Sequence, residues 1–270
     1  MLMNGRLSEK SYRGYRKFPR LVRPMMARFD ALAVQTPVEA KRYVALGAWP
    51  ERVHAIGSVK FDMSLDDAVR QAAGDLRAAI GERPVWIAAS THPGEDEPVL
   101  AAHKALLETA PQTLLMLVPR HPERFDSVAQ LVRQQGLGLA RRSKQDTIAA
   151  DTQVYLADTM GELLMLFGVA DVAFVGGSLV PVGGHNLLEP AGWGKPVLTG
   201  PHLHNFTAIS NLLDDAGALT LVDNADALAI ALQALFRYPD QRQRQGQAAA
   251  AVVEANRGAL EKGLKLISEQ

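Results

Sequence analysis

Residues 172–190 read VAFVGGSLVPVGGHNLLEP, and this stretch decides the fold class of the chain. Its first four residues form an apolar run of strand length, two glycine pairs follow, and a short helical pattern begins near Asn186. Glycine pairs let a chain turn sharply and bring its backbone N–H groups close to a ligand. The stretch therefore predicts a buried strand that ends in a ligand-binding loop, which is typical of α/β proteins.

Strand and helix patterns alternate on both sides of this stretch. Helical patterns at Glu95–Glu108, Glu123–Gln135 and Gly161–Gly168 separate the apolar runs. Strands that alternate with helices of this length pair in parallel through right-handed crossovers. We therefore predict an α/β fold with a Rossmann-like, doubly wound parallel sheet. The predicted strands are Ala31–Gln35, Val53–Ile56, Val85–Ala89, Leu114–Val118, Val154–Leu156, Val172–Val175 and Pro196–Leu198.

Composition excludes several classes of function. The chain has 29 basic and 29 acidic residues, and this zero net charge argues against a nucleic-acid partner. Because it has no cysteine, disulfides and cysteine-ligated metals are excluded. No apolar run reaches the length of about eighteen residues that a membrane span needs, and no signal peptide is visible. The sequence therefore predicts that this chain alone does not span a membrane.

The charge is unevenly distributed near the front of the chain. Between Arg6 and Arg28 there are eight basic residues and one acid, Glu9. One interpretation is a solvated helix or linker. The other is a patch that faces anionic lipid or phosphate.

Two further loops follow predicted strands, at the sheet edge where α/β proteins bind ligands. Arg120 stands directly after Leu114–Val118, and its planar guanidinium suits a phosphate, although a surface arginine is the alternative. In Asp158–Leu163, Thr159 and Glu162 have the spacing of a helix-capping box. Gly161 in the same turn favours a second interpretation, because glycine lets a ligand approach the backbone closely.

Acidic and imidazole side chains complete the candidates. Glu189 follows Asn186 by about one helical turn and is placed to accept hydrogen bonds from ribose hydroxyls. The segment Ser90–Glu95 caps a helix in one interpretation, whereas in the other Thr91 and His92 face a bound sugar. The histidines at 185, 202 and 204 lack acids at ligand spacing, so no metal site is predicted.

Five segments together resemble a known family over essentially the whole chain. They are similar, in order and spacing, to lipid A Kdo transferases (3-deoxy-D-manno-octulosonic acid transferases), and their joint pattern is more specific than any single motif. The segments are Gly57–Asp62 (GSVKFD), Ser90–Glu95 (STHPGE), Val118–Arg124 (VPRHPER), Asp158–Leu163 (DTMGEL) and Phe174–Glu189.

The resemblance implies a GT-B glycosyltransferase, of which this chain resembles the C-terminal half. Such an enzyme transfers Kdo from CMP-Kdo to a lipid A precursor, lipid IVA, in lipopolysaccharide biosynthesis. It works at the cytoplasmic face of the inner membrane and needs no cofactor or metal. Its partners would be CMP-Kdo, the anionic lipid A precursor and the membrane surface. The implied CMP contacts are Pro119, Arg120, Gly161, Glu162, Leu163, Asn186, Leu187, Leu188 and Glu189.

The resemblance also implies a division of the chain. Residues 1–56 are expected to be the remainder of an N-terminal GT-B domain with a linker. Residues 57–255 are expected to form the nucleotide-sugar-binding Rossmann-like domain, and residues 256–270 a C-terminal crossover helix.

The chain departs from the family in one respect. The family's N-terminal motif, of the type His-Ser-x-Ser-x-Gly-Glu, carries the catalytic glutamate, and no such motif is present. We therefore expect a truncated chain that supplies the donor site without the general base, attached to the membrane peripherally or through the missing N-terminus. Two alternatives remain: a non-catalytic nucleotide-binding module, for which CMP would bind without transfer, and a GT-B nucleotide-sugar epimerase, which would turn over a free UDP-sugar.

Overall fold

The computed structural model describes residues 1–268 and divides into two compact units. The small unit comprises Met1–Ser64 together with the chain from Val253 onward. The large unit comprises Leu65–Val252.

The small unit contains a three-stranded parallel sheet in the order β1-β2-β3. The sequence predicted β2 and β3 but not β1, whose four residues LMNG show no strand alternation. Leu32 and Val34 are fully buried and share a core with Leu7, Val22 and Tyr43. The elements are β1 (Leu2–Gly5), α1 (Glu9–Tyr15), α2 (Pro19–Met26), β2 (Leu32–Val34), α3 (Pro37–Ala45) and β3 (Val53–Ala55).

The large unit contains a seven-stranded sheet in the order β10-β9-β8-β4-β5-β7-β6, with every neighbouring pair parallel. The strands are β4 (Val85–Thr91), β5 (Leu114–Pro119), β6 (Leu139–Arg141), β7 (Val154–Leu156), β8 (Val172–Val175), β9 (Val197–Thr199) and β10 (Leu219–Leu221). The helices are α4 (Asp67–Ile80), α5 (Asp96–Leu107), α6 (Phe125–Gln134), α7 (Leu163–Val169), α8 (Leu188–Gly192), α9 (Thr207–Asp215), α10 (Ala225–Arg237) and α11 (Pro239–Ala255), whose last residues belong to the small unit.

Helices cover both faces of this sheet. Along β4, Trp86 and Ala88 belong to one buried cluster, whereas Val85, Ile87 and Ala89 belong to another. The first cluster includes residues of α5, α6 and α10, and the second includes residues of α4 and α7. Successive side chains of a strand point to opposite faces, so two separate clusters require two covered faces. The predicted doubly wound parallel sheet is confirmed.

The two strands that the sequence did not predict lie at the edges of this sheet. β6 and β10 have three residues each. β6 ends in Arg141, and Thr220 is the central residue of β10. An edge strand is paired on one side only and needs less apolar sequence than a central strand. Short mixed segments of this kind carry no clear strand signal.

The last helix of the described chain, α12 (Ala259–Ser268), belongs to the small unit. The carboxylate of Asp62 accepts hydrogen bonds from the backbone N–H groups of Gly258 and Leu260, each at 2.6 Å. These bonds join residues 57–64 to the chain end, so the structural division falls after Ser64 and before Val253, where the sequence suggested residues 56 and 255. The last two residues of the expected 256–270 helix lie outside the described residues.

No helix within residues 1–268 combines the length and apolar character needed to cross a bilayer.

A buried histidine links the sheet of the large unit to α5. His103 is fully buried, and its Nδ1 accepts a hydrogen bond from Trp86 Nε1 at 3.1 Å. Because Nδ1 is an acceptor, Nε2 carries the proton and donates to the carbonyl oxygen of Gln153 at 2.9 Å. Burial lowers the pKa of His103 to about 4.

This histidine makes stability depend on pH. In the unfolded chain His103 binds a proton near pH 6.5, whereas in the folded chain it stays neutral down to about pH 4. The unfolded state therefore binds more protons in this window, and His103 alone should lower the free energy of unfolding by about 1.4 kcal/mol per pH unit as the pH falls. We expect ¹⁵N NMR of the imidazole to show a neutral, Nε2-protonated ring at pH 5.5. Titration of this ring near pH 6.5 would contradict the assignment.

Candidate functional site

A cavity of about 300 Å³ lies at the carboxyl edge of the large unit's sheet. Its walls come from the loops after β5, β7 and β8, three strands whose carboxyl ends meet at one edge because the sheet is parallel. This edge is where open α/β sheets bind ligands. Six of the nine implied contact residues line the cavity: Pro119, Arg120, Gly161, Leu163, Asn186 and Glu189.

The other three implied contacts are not on the cavity wall. Leu187 and Leu188 are fully buried in the core. The Glu162 carboxylate forms two bonds with the Arg142 guanidinium, at 2.7 and 2.5 Å, and also accepts a bond from the Thr159 hydroxyl. These bonds lower the pKa of Glu162, with the hydrogen bond from Arg142 as the largest cause. A contact between CMP and the backbone of these three residues remains a prediction.

Gly161 occupies a turn that favours glycine. Its φ is +83°, in the left-handed region, and no atom lies within 4 Å of the position where a Cβ would stand. Since α7 begins only at Leu163 and Thr159 forms no cap with its backbone, the capping box is not formed. The turn before α7 therefore presents exposed backbone to the cavity.

The Arg120 guanidinium is available to a ligand. Its backbone N–H donates to the carbonyl oxygen of Thr91 at 3.0 Å, which fixes the start of the loop after β5. No acidic side chain of the described chain forms an ion pair with it. An unpaired guanidinium in a cavity wall suits an anionic ligand such as a phosphate.

Glu189 and Asn186 form a polar pair in the cavity wall. Asn186 Nδ2 donates to Glu189 Oε1 at 2.9 Å, and Asn186 Oδ1 accepts from the backbone N–H of Leu188 at 3.2 Å. Burial raises the pKa of Glu189. The second carboxylate oxygen remains able to accept a hydrogen bond from a ligand hydroxyl.

A fully buried carboxylate holds the loop after β8. Glu95, which is 0% exposed, accepts four backbone hydrogen bonds. Oε2 accepts from His92 at 2.9 Å and Gly177 at 2.7 Å, while Oε1 accepts from Ser178 at 2.9 Å and Leu179 at 2.8 Å. Buried carboxylates are tolerated only when their oxygens are satisfied in this way. Glu95 thus connects the turn after β4 to the first glycine pair.

The glycines of this loop are required by close contacts. A Cβ on Gly176 would lie 2.8 Å from the carbonyl oxygen of Ser90 and 2.9 Å from Glu95 Oε2. Gly177 has a φ of +66°, and a Cβ there would lie 2.8 Å from the ring of His185. The first glycine pair therefore permits both the Glu95 contact and the position of His185.

Three histidines stand beside the cavity. His185 lines its wall, and His185 Nε2 lies 2.8 Å from His92 Nε2, with the two ring planes inclined by 14° and their centroids 5.0 Å apart. His121 meets His92 edge-on, with 5.2 Å between centroids. Burial lowers the pKa of His92 and lowers that of His185 to about 4.

Of the two residues suggested to face a sugar, only His92 lies near the cavity. The prediction that Thr91 faces a sugar is wrong, because its side chain is fully buried and its hydroxyl donates to Asp96 Oδ1 at 2.7 Å. Arg124 pairs with Asp96 and donates to the Thr91 carbonyl oxygen at 2.5 Å. These residues hold the loops after β4 and β5 together.

Sequence reasoning missed Glu95, Ser90 and His185 as parts of the site. Ser90 lines the cavity with a φ of +58°, which is uncommon for a residue with a side chain. The available signal was the segment Ser90–Glu95 at the end of a buried strand, for which the sequence left a helix cap and a sugar contact as alternatives. Across residues 1–268, no three His, Asp or Glu side chains are arranged to hold a metal ion.

Comparisons with known proteins point to one family. The family described as 3-Deoxy-D-manno-octulosonic-acid transferase (kdotransferase) matches residues 1–63. The 3-deoxy-D-manno-octulosonic acid transferase of Haemophilus influenzae is 42% identical over 269 residues, which cover 99% of this chain and 63% of that protein. The chain therefore spans less than two thirds of the length of this relative.

Solved structures agree with the fold. The C-terminal CMP-Kdo binding domain of WaaA from Acinetobacter baumannii is 36% identical, with a TM-score of 0.67, and the match covers 70% of this chain and 99% of that domain. Anabaena Alr3699/HepE in complex with UDP-glucose is 15% identical, with a TM-score of 0.55, over 99% of this chain and 71% of that one. This second likeness shows the fold alone. The fold is that of the C-terminal half of a GT-B glycosyltransferase, as the sequence predicted.

The Glu95 contacts predict a large effect of a small substitution. In Glu95→Gln an amide NH₂ replaces one oxygen and faces two backbone N–H groups, each of which costs about 1–3 kcal/mol when left unsatisfied. We expect urea unfolding to show a loss of at least about 2 kcal/mol and amide hydrogen exchange at residues 177–179 to accelerate. Glu97→Gln, an exposed acid two residues away, is the control. Equal stability of the two variants would exclude the organising role of Glu95.

Proposed function

The chain belongs to the 3-deoxy-D-manno-octulosonic acid transferase family, and from this membership we propose that it carries the donor site of a Kdo transferase. The reaction proposed is transfer of Kdo from CMP-Kdo to a lipid A precursor, lipid IVA, in lipopolysaccharide biosynthesis. The observation that carries the proposal is the meeting of Arg120, Gly161 and Glu189 in the walls of one cavity. Its volume of about 300 Å³ suits a mononucleotide.

In this proposal, different residues of the cavity wall bind the phosphate, the ribose and the cytosine of CMP. Arg120 takes the phosphate, since its guanidinium is unpaired and phosphate accepts a planar fork of N–H donors. Glu189 accepts from a ribose hydroxyl through the oxygen that Asn186 leaves free. The exposed backbone around Gly161, with Leu163 beneath it, receives the cytosine.

These contacts also serve the transfer step. An acceptor hydroxyl forms a bond to the anomeric carbon of Kdo, the bond from that carbon to the phosphate oxygen breaks, and CMP leaves with the electron pair. The proton of the hydroxyl passes to a general base. We assign this base to a facing domain and not to the cavity residues. Arg120 stabilises the negative charge that develops on the departing phosphate, so that no metal is needed.

Exposed side chains on the small unit suit contact with a membrane surface. On α2, Leu21 is 72% exposed while Val22 and Met26 are buried, and Phe18 beside the helix is 65% exposed. Lys17 and Arg20 flank these apolar side chains and are exposed. Apolar side chains surrounded by basic ones suit the surface of an anionic membrane. From this surface together with the family membership, we propose that the protein acts at the cytoplasmic face of the inner membrane, where the acceptor is also an anionic lipid.

CMP binding tests the donor site. Glu189→Gln should weaken CMP binding by about 10- to 100-fold, the scale of a lost hydrogen bond to a charged group. Calorimetry on the folded variant measures this, with Glu108→Gln, an exposed acid on α5's C-terminal side, as the control. Unchanged CMP affinity in Glu189→Gln would remove Glu189 from the site. CMP binding to the wild type without any Kdo transfer, even in the full-length context, would favour a non-catalytic nucleotide-binding module.

Vesicle flotation tests the membrane partner. The chain should float with anionic vesicles and less with neutral ones, because each basic residue near such a surface contributes about 1 kcal/mol. High salt should reduce recovery, since exposed charges are screened within about 10 Å at 0.1 M. Replacing Phe18 and Leu21 by serine should reduce flotation at low salt. Ile230→Ser, at a position that is 67% exposed in the large unit, should not. Equal recovery in all conditions would contradict the proposal.

A further inference from the structure

The loops after three neighbouring strands of the large unit each contain one histidine, and the three imidazole rings lie close together beside the cavity. His92 follows β4, His121 follows β5, and His185 belongs to the loop after β8. The sheet order β8-β4-β5 makes these loops adjacent. His92 stands between the other two rings, at 5.0 Å from His185 and 5.2 Å from His121.

The close contact between His92 and His185 restricts their protonation to one donor and one acceptor at the two Nε2 atoms. A distance of 2.8 Å between two Nε2 atoms requires one of them to donate a proton and the other to accept it. Two protonated Nε2 atoms could not approach in this way. The contact uses the Nε2 edge of both rings, so Nδ1 is the nitrogen of His185 that remains for a ligand. When His92 donates, His185 carries its proton on Nδ1 and is a hydrogen-bond donor.

The charged groups around the pair are mostly cationic or already satisfied. Besides burial, the positive charges of Arg120 and Arg124, in the loop after β5, lower the pKa of His92, as does His121. Arg120 also lowers the pKa of His185, for which burial is again the largest cause. The nearby acid is Glu95, whose oxygens accept four backbone N–H groups. The neighbouring Asp96 is paired with Arg124. No carboxylate within the described residues bonds to either ring.

The donor of the proposed reaction has a second anionic group besides its phosphate. An octulosonic acid carries a carboxylate, which in a keto sugar acid is attached to the anomeric carbon. A carboxylate is an acceptor that suits an imidazole N–H beside arginines. His185 lines the same cavity as Arg120, to which the phosphate is assigned, so phosphate and carboxylate would lie side by side.

We propose that the His92–His185 pair recognises the sugar carboxylate of the donor, with His185 as the contact and His92 as the residue that orients it. The proposal rests on the proposed function and adds a specificity determinant to it. Through this contact the site distinguishes a nucleotide-linked sugar acid from a neutral nucleotide sugar. CMP itself lacks this carboxylate, so the contact is tested by comparing donors with and without the carboxylate.

Two matched ligands test this contact. One is a phosphonate-linked analogue of CMP-Kdo that resists hydrolysis, and the other is the same compound with a carboxamide in place of the carboxylate. The wild-type chain should bind the carboxylate compound about tenfold or more tightly than the carboxamide, the scale of one charged hydrogen bond. In His185→Phe, which keeps an aromatic ring against Gly177, this preference should fall to about twofold or less.

His92→Phe provides a second variant with the same expected loss of preference, should His185→Phe fail to fold. His54→Phe, in the small unit, is the matched control and should keep the full preference. A preference that survives in both folded variants, or that is absent from the wild type although CMP binds, would overturn this proposal alone. Failure of CMP to bind the wild type would overturn the proposed function as well.

Discussion

One buried carboxylate determines the shape of the site. Glu95 lies at the start of α5 and accepts four backbone N–H groups, three of them from consecutive residues of the loop after β8. Without these bonds the loop would leave two buried N–H groups and one partly buried N–H group unpaired, which is costly in a protein interior. Gly176 permits this contact, because a Cβ there would lie 2.9 Å from Glu95 Oε2, and Gly177 leaves room for the ring of His185. The loop then places His185 and, further along, Asn186 and Glu189 in the cavity wall.

The site is locally cationic in a chain of zero net charge. Arg120 has no acidic partner in the described part of the chain, and the imidazoles of His92 and His185 lie beside it. Two acidic side chains near this edge already have partners. Glu95 accepts hydrogen bonds from backbone N–H groups, and Asp96 forms an ion pair with Arg124. The arrangement leaves positive charge and N–H donors available to an anionic ligand, while Glu189 remains an acceptor for hydroxyl groups. Both properties agree with a nucleotide linked to a sugar acid.

The sequence predicted the features that depend on local pattern. The central strands are apolar runs, so β4, β5, β7 and β8 could be recognised, and their parallel pairing brought Arg120, Gly161 and Glu189 to one edge. The short edge strands β6 and β10 could not, because three mixed residues have no pattern of their own. Three of the four partners of Glu95 lie 82 to 84 residues away, and His92 is 93 residues from His185. Such contacts follow from strand order, which the sequence alone did not reveal, so the sequence could not decide between a helix cap and a ligand contact for Ser90–Glu95.

The central claim is that CMP occupies the cavity at the carboxyl edge of the large unit. Titration of ¹⁵N-labelled protein with CMP, followed by amide chemical shifts, tests it most directly. The account predicts shifts for the amides of Arg120, Gly161 and Asn186, and little change for amides at the opposite, amino-terminal ends of the same strands. Saturable shifts at those amino-terminal ends, with Arg120, Gly161 and Asn186 unchanged, would contradict it.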